Sequence, residues 1–150
     1  MNLEIKWLNC MWLILPLIIW NLIFGPKLSD PRLTSDANSP VWQLFAENGV
    51  RIVVFALPLL IPLQVQDSIS KNGLFVYVLG TLVYFASWLP LMFAPQSAWS
   101  QGALGALAPF VTPLAVFYGI ALIGHSWSYG LVSTIFICLH GLHGLQNLRS

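Results

Sequence analysis

The sequence predicts an all-α, polytopic transmembrane bundle of about five helices with no soluble domain, and three observations carry that expectation. Only 7% of the residues are Asp, Glu, Lys or Arg while 57% are hydrophobic; an ordinary soluble domain carries roughly 25% charged residues, so the polar groups here are too few to cover a water-facing surface. The charges are also segregated, because between Lys71 and Arg149 there is no acidic or basic side chain apart from three histidines. A hydrocarbon core about 30 Å thick takes about 20 residues of helix, so that stretch holds three crossings and two turns, and the segment before it holds two more. Apolar runs such as Leu13 to Ile19 are continuous and lack the alternation of a barrel strand.

The first span is expected over residues 7–24, bent at Pro16 and stopped by Gly25-Pro26. It reads as a retained helix and not a signal peptide: Glu4 dilutes the basic region and no small-x-small site follows Phe24. Cys10 has no hydrophobic region before it, which argues against a lipoprotein signal. Lys27, Asp30, Pro31, Arg32, Asp36 and Asn38 then form the most polar stretch, an aqueous loop. Ser39-Pro40 reads as an N-cap followed by proline at the first helical position, opening a second span over 42–65 whose far half is kinked at Pro58 and Pro62. Gln64 to Gly73 is the next loop, and 74–93 is a span of the expected length. After a turn over 94–100, the fourth span, 102–124, carries Pro109 and Pro113 and should be bent or locally unwound. His125 and Ser126 make a tight turn into the last span, 127–145. All of 1–150 forms one membrane-embedded domain.

With the N-terminus on side A, the first, third and fifth spans run from A to the opposite side, B. Trp7, Trp12, Tyr77, Tyr118, Trp127 and Tyr129 then fall toward A and Trp20, Trp42, Trp88 and Trp99 toward B, as two interfacial aromatic belts. Lys6 and Lys71 lie on A against Lys27, Arg32 and Arg149 on B, so the positive-inside rule places B, with the C-terminus, in the cytoplasm.

Glu47 and Arg51 are the only acid and base inside any expected span, and their i,i+4 spacing lets carboxylate and guanidinium meet. Counted along the helices at 1.5 Å per residue, Asn21 and Arg51 both come about 21 Å from side A, and Ser87 and His140 about 20 Å. Asn48, Trp88, His143 and Gln146 lie near that level or slightly farther toward B. Glu47, Arg51, Asn21, Ser87, Trp88, His140 and His143 therefore outline a candidate polar site in the B-side half of the bundle. Tyr77, Thr81, Tyr84 and Trp88, with Gly80 and Ser87 beside them, form a stripe that should face protein. Ser126, Gly130, Ser133, Ile137, His140 and Gly144 form another, whose small residues admit a close helix neighbour.

Each feature has a structural and a functional reading. Glu47 and Arg51 form either a structural ion pair, with Arg51 snorkelling toward head groups, or a pair facing a cavity. His140 and His143, spaced i,i+3, are either histidines at a helix C-terminus or, with Glu47, a weak candidate for a two-histidine, one-carboxylate metal set. The prolines of the fourth span make either a simple kink or an unwound segment offering carbonyls to an ion. Cys10 and Cys138 sit at depths about 12 Å apart, beyond disulfide reach, and read as packing residues.

No phosphate loop, nucleophile elbow or zinc-protease motif is present, no cofactor is indicated, and a net charge of +1 argues against a nucleic-acid partner. Three functions fit what is left. The first is a small-molecule or lipid-handling protein with a polar pocket in one half of the bilayer. The others are an oligomeric transporter or proton-coupled carrier, and a non-catalytic subunit docking through the stripes Gly130 to Gly144 and Ala115 to Gly119 in a homo- or hetero-oligomer.

Overall fold

The computed structural model describes residues 7–28 and 39–149. Lys6 and the polar-loop residues Asp30, Pro31, Arg32, Asp36 and Asn38 lie outside them. The fold is all-helical: α1 (Met11–Leu28), α2 (Val41–Ala56) continued by a 3-10 turn at Leu57–Leu59, α3 (Ser68–Phe93), the short α4 (Ala98–Gln101), α5 (Ala103–Val111), α6 (Pro113–Ile123) and α7 (Trp127–Arg149). Three helical stretches, Ser68–Phe93, Ala103–Ile123 and Trp127–Leu148, are long and apolar enough to cross a membrane.

Several boundaries differ from expectation for local reasons. Trp7 to Cys10 are not helical: Cys10 N–H donates to Ile61 C=O at 2.8 Å and Leu63 N–H to Leu8 C=O at 3.1 Å, clamping the entry to α1 on the exit from α2. Gly25-Pro26 does not stop α1, which runs on to Leu28. Pro40, not Ser39, occupies the N-cap of α2 and supplies no side-chain cap, while the Ser39 hydroxyl donates to Gln146 Oε1 at 3.2 Å. Pro58 and Pro62 end the second helical segment instead of kinking it, because proline withholds the N–H the next turn needs. At 16 residues, α2 is about 24 Å long, shorter than a hydrocarbon core. In contrast, α3 starts at Ser68, six residues before the expected 74, because the Asp67 carboxylate accepts the Ser70 N–H at 2.7 Å as an N-cap. The fourth segment is interrupted at Thr112, between α5 and α6, but the Thr112 backbone stays helical, so the segment is not unwound there.

Contacts fix the relative directions. Cys10 at the start of α1 meets Ile61 beyond the end of α2. Tyr77 and Tyr84 of α3 bond to Leu13 and Asn21 of α1, making those helices parallel. Gln146 near the end of α7 meets Gln43 at the start of α2. The most extensive packing joins α3 to α6, and it depends on missing side chains. A Cβ on Gly119 would lie 2.6 Å from Tyr77 Cα, one on Gly80 2.9 Å from Val116 N, and one on Gly73 2.8 Å from Ile123 N. Such backbone approach is how helices gain contact in lipid, where burying apolar surface adds little.

The core joins Ile14 and Leu17 of α1, Val54 of α2, Tyr77 and Tyr84 of α3, Phe117 and Ile120 of α6, and Tyr129 and Phe136 of α7. Large apolar side chains such as Leu22, Phe45, Ile52, Phe75, Leu104 and Leu131 point outward, as a lipid solvent permits. The aromatic belts are only partly realised. Trp7, Trp12, Trp127, Trp42 and Trp99 are exposed, but Tyr77 and Tyr129 are buried in the core and Trp88 lines an internal cavity.

Candidate functional site

The second and last helical segments meet along a polar seam. Gln43, Glu47 and Arg51 repeat every four residues along α2, a row that follows one face of a helix, with Ser39 just before the helix continuing the line, and they oppose His140, His143 and Gln146 on α7. Gln146 Nε2 donates to Gln43 Oε1 at 3.1 Å. One turn farther along α2 lies Glu47, only 2% exposed. Its Oε1 accepts from the Arg51 guanidinium and lies 2.8 Å from His140 Nδ1, while its Oε2 lies 2.9 Å from His143 Nδ1. A carboxylate held by a guanidinium accepts and does not donate. Both imidazoles therefore carry their proton on Nδ1, and the buried charge of Glu47 is met on both oxygens, as a low-dielectric site requires.

On the far side of His140 and Arg51 lies a partly open cavity of about 340 Å³, walled by every long helical segment: Leu17 and Asn21 of α1, Arg51 and Phe55 of α2, Tyr84 and Trp88 of α3, Pro109 and Phe110 of α5, Pro113 and Phe117 of α6, and Phe136 and His140 of α7. The bend of the fourth segment forms one wall, with both of its prolines on the lining. The His140 ring lies between Phe110, with centroids 4.6 Å apart, and Phe136 at 5.3 Å in a stacked arrangement. Arg51 Cζ sits 5.8 Å from the centre of the Phe136 ring, within cation–π range. Asn21 Oδ1 accepts from the Tyr84 hydroxyl at 3.0 Å, and its Nδ2 donates to Leu17 C=O at 2.9 Å. Trp88 Nε1 is buried and makes no hydrogen bond among the described residues.

The expected site residues thus fall into three groups. Arg51 and His140 belong to both the ionic cluster and the cavity; Glu47 and His143 stand behind them in the cluster; Asn21 and Trp88 line the cavity only. Ser87 joins neither. Its hydroxyl donates to Tyr84 C=O at 2.6 Å and lies 3.3 Å from Thr112 Oγ1, tying α3 to the bend of the fourth segment. His140, His143 and Glu47, the weak candidates for a metal set, are joined by direct hydrogen bonds; no group of three or more His, Cys, Asp or Glu that could hold a metal ion is found among the described residues. Cys10 and Cys138 are free, Cys10 buried and Cys138 exposed. The small-residue stripe of α7 packs within the chain, Gly144 against Leu107 and Phe110, and Gly119 of α6 packs on Tyr77.

Sequence reasoning missed Gln43 and the aromatic walls Phe55, Phe110, Phe117 and Phe136. The four-residue recurrence from Ser39 to Arg51 was the available signal for Gln43. Phenylalanines in an apolar chain carry no comparable mark. No protein-family model, curated protein or solved structure matches this chain.

Proposed function

We propose that the chain is a multi-pass membrane protein of five crossings, its C-terminus cytoplasmic, that binds a small molecule or lipid in the cavity between its helices. The observation that carries this reading is the cavity itself. Five separate helical segments contribute to one lining, its volume of about 340 Å³ lies within the roughly 300–1,000 Å³ of small-molecule sites, and a few polar groups are set in a largely aromatic wall. A chain that needed the cluster of Glu47, Arg51 and the histidines only as internal glue would gain from packing this space shut, since an empty volume forfeits dispersion contacts.

The reading is tested by native mass spectrometry of protein purified in a mild uncharged detergent. Wild-type protein is expected to retain a co-purifying small molecule or lipid, and Leu17→Trp, which puts an indole into the cavity, to lose it while remaining folded. Identical adducts on the two proteins would overturn the proposal.

A further inference from the structure

Resting on that reading, we infer that the occupant is a single-chain amphiphile with an oxyanionic head, a carboxylate or a phosphate ester, whose head meets Arg51 and Trp88 and whose chain lies among Phe55, Phe110, Phe117 and Phe136. Two of the polar groups on the cavity lining, Arg51 and Trp88, are donors only. A guanidinium has five N–H groups, and the side-chain acceptor met by Arg51 is Glu47 Oε1. Trp88 Nε1–H is buried and makes no hydrogen bond of full geometry among the described residues, with the Tyr84 hydroxyl only a weak acceptor beside it. The acceptor Asn21 Oδ1 is already taken by the Tyr84 hydroxyl. A buried donor without an acceptor is costly, and a ligand rich in lone pairs supplies what the wall lacks.

Charge points the same way. Glu47 does not line the cavity and turns both oxygens toward Arg51, His140 and His143, and no other acidic residue among the described residues is on the lining. A cationic ligand would meet Arg51 with no carboxylate to receive it, whereas an oxyanion meets a guanidinium whose planar fork suits two oxygens. The rest of the wall argues against a bare inorganic anion. The volume, near the low end of ligand sites, suits a head and the first part of one chain.

The test is calorimetric titration of the full chain in uncharged detergent with five probes: dodecanoate, lysophosphatidate, dodecanol, dodecyltrimethylammonium and inorganic phosphate. At least one of the two anionic amphiphiles is expected to bind ten-fold or more tightly than dodecanol, and whichever binds tighter identifies the head as carboxylate or phosphate. Arg51→Gln should abolish that preference while dodecanol binding persists. If that variant does not fold, Trp88→Phe, which leaves the ion pair intact, should reduce the preference at least three-fold. Equal affinity for dodecanol and the anions, tighter binding of the cation, or inorganic phosphate binding as well as the amphiphiles would each overturn the inference and leave the cavity reading standing. Absence of binding by every probe, together with Leu17→Trp protein carrying the same adducts as wild type, would overturn the cavity reading itself.

Discussion

Two helix pairs in this molecule are held together in opposite ways. Between α3 and α6, Gly73, Gly80 and Gly119 let backbone touch backbone, and the attraction is dispersion over a long apolar seam. Between α2 and α7, the partners are long polar side chains converging on one carboxylate, with Gln43 and Gln146 continuing the line. The first seam tolerates no added atom; the second tolerates no missing charge. The difference follows from length and content. The 26-residue α3 is long and apolar enough to cross a membrane, whereas α2 is short and carries two formal charges, one of them buried, which need partners from another helix.

The largest expected effect comes from breaking the polar seam. Glu47→Ala leaves Arg51 and two imidazoles without their shared acceptor and should cost about 3 kcal/mol, the low end of the range for removing one partner of a buried pair because Arg51 is half-exposed. Reversible unfolding in mixed micelles measures it, and a change under about 1 kcal/mol would show that the seam is not what holds α2. Next is Gly119→Ala, whose new methyl meets the Tyr77 backbone; overpacking of this kind costs about 1–3 kcal/mol. The same unfolding assay checks it, and cavity binding should survive, since Gly119 does not line the cavity. The smallest effect lies outside both seams. Hydrogen bonds from the Ser70 N–H and side chain, with lesser help from His125, hold the Asp67 carboxyl below the usual aspartate range. Because its folded value is depressed, its contribution is fully present above the ordinary aspartate value of about 3.9 and fades as pH falls through the lower folded value. Asp67→Asn should flatten that acid limb of stability and change little at neutral pH.

Much of the site was legible before any fold was known. Helical rise alone put Asn21, Arg51 and His140 at one level, and all three line the cavity. Ser87 shows the limit of that arithmetic. It shares their depth but lies next to Trp88 in sequence, about 100° around the helix, and so faces Thr112 while Trp88 faces the cavity. Depth follows from counting residues; azimuth follows from which neighbours pack where. The stripe on α3 was expected to face protein, but neither the tight spacing at Gly80 nor the aromatic walls were read from the sequence, because no local pattern separates a phenylalanine facing lipid from one facing a cavity.

The sequence by itself determined that this chain is helical and apolar, with its polar groups confined to a few positions, because its apolar runs are continuous and lack the alternation that a barrel strand would need. The i,i+4 spacing of Glu47 and Arg51 likewise set those two side chains on one face. Only the tertiary structure decided that the two histidines meet Glu47 through Nδ1 on different oxygens, that Arg51 reaches past the carboxylate to a cavity, and that the second helix ends at Ala56. Those outcomes depend on how helices far apart in the chain are rotated against one another, and rotation is chosen by close packing between them, a relation that no single segment contains.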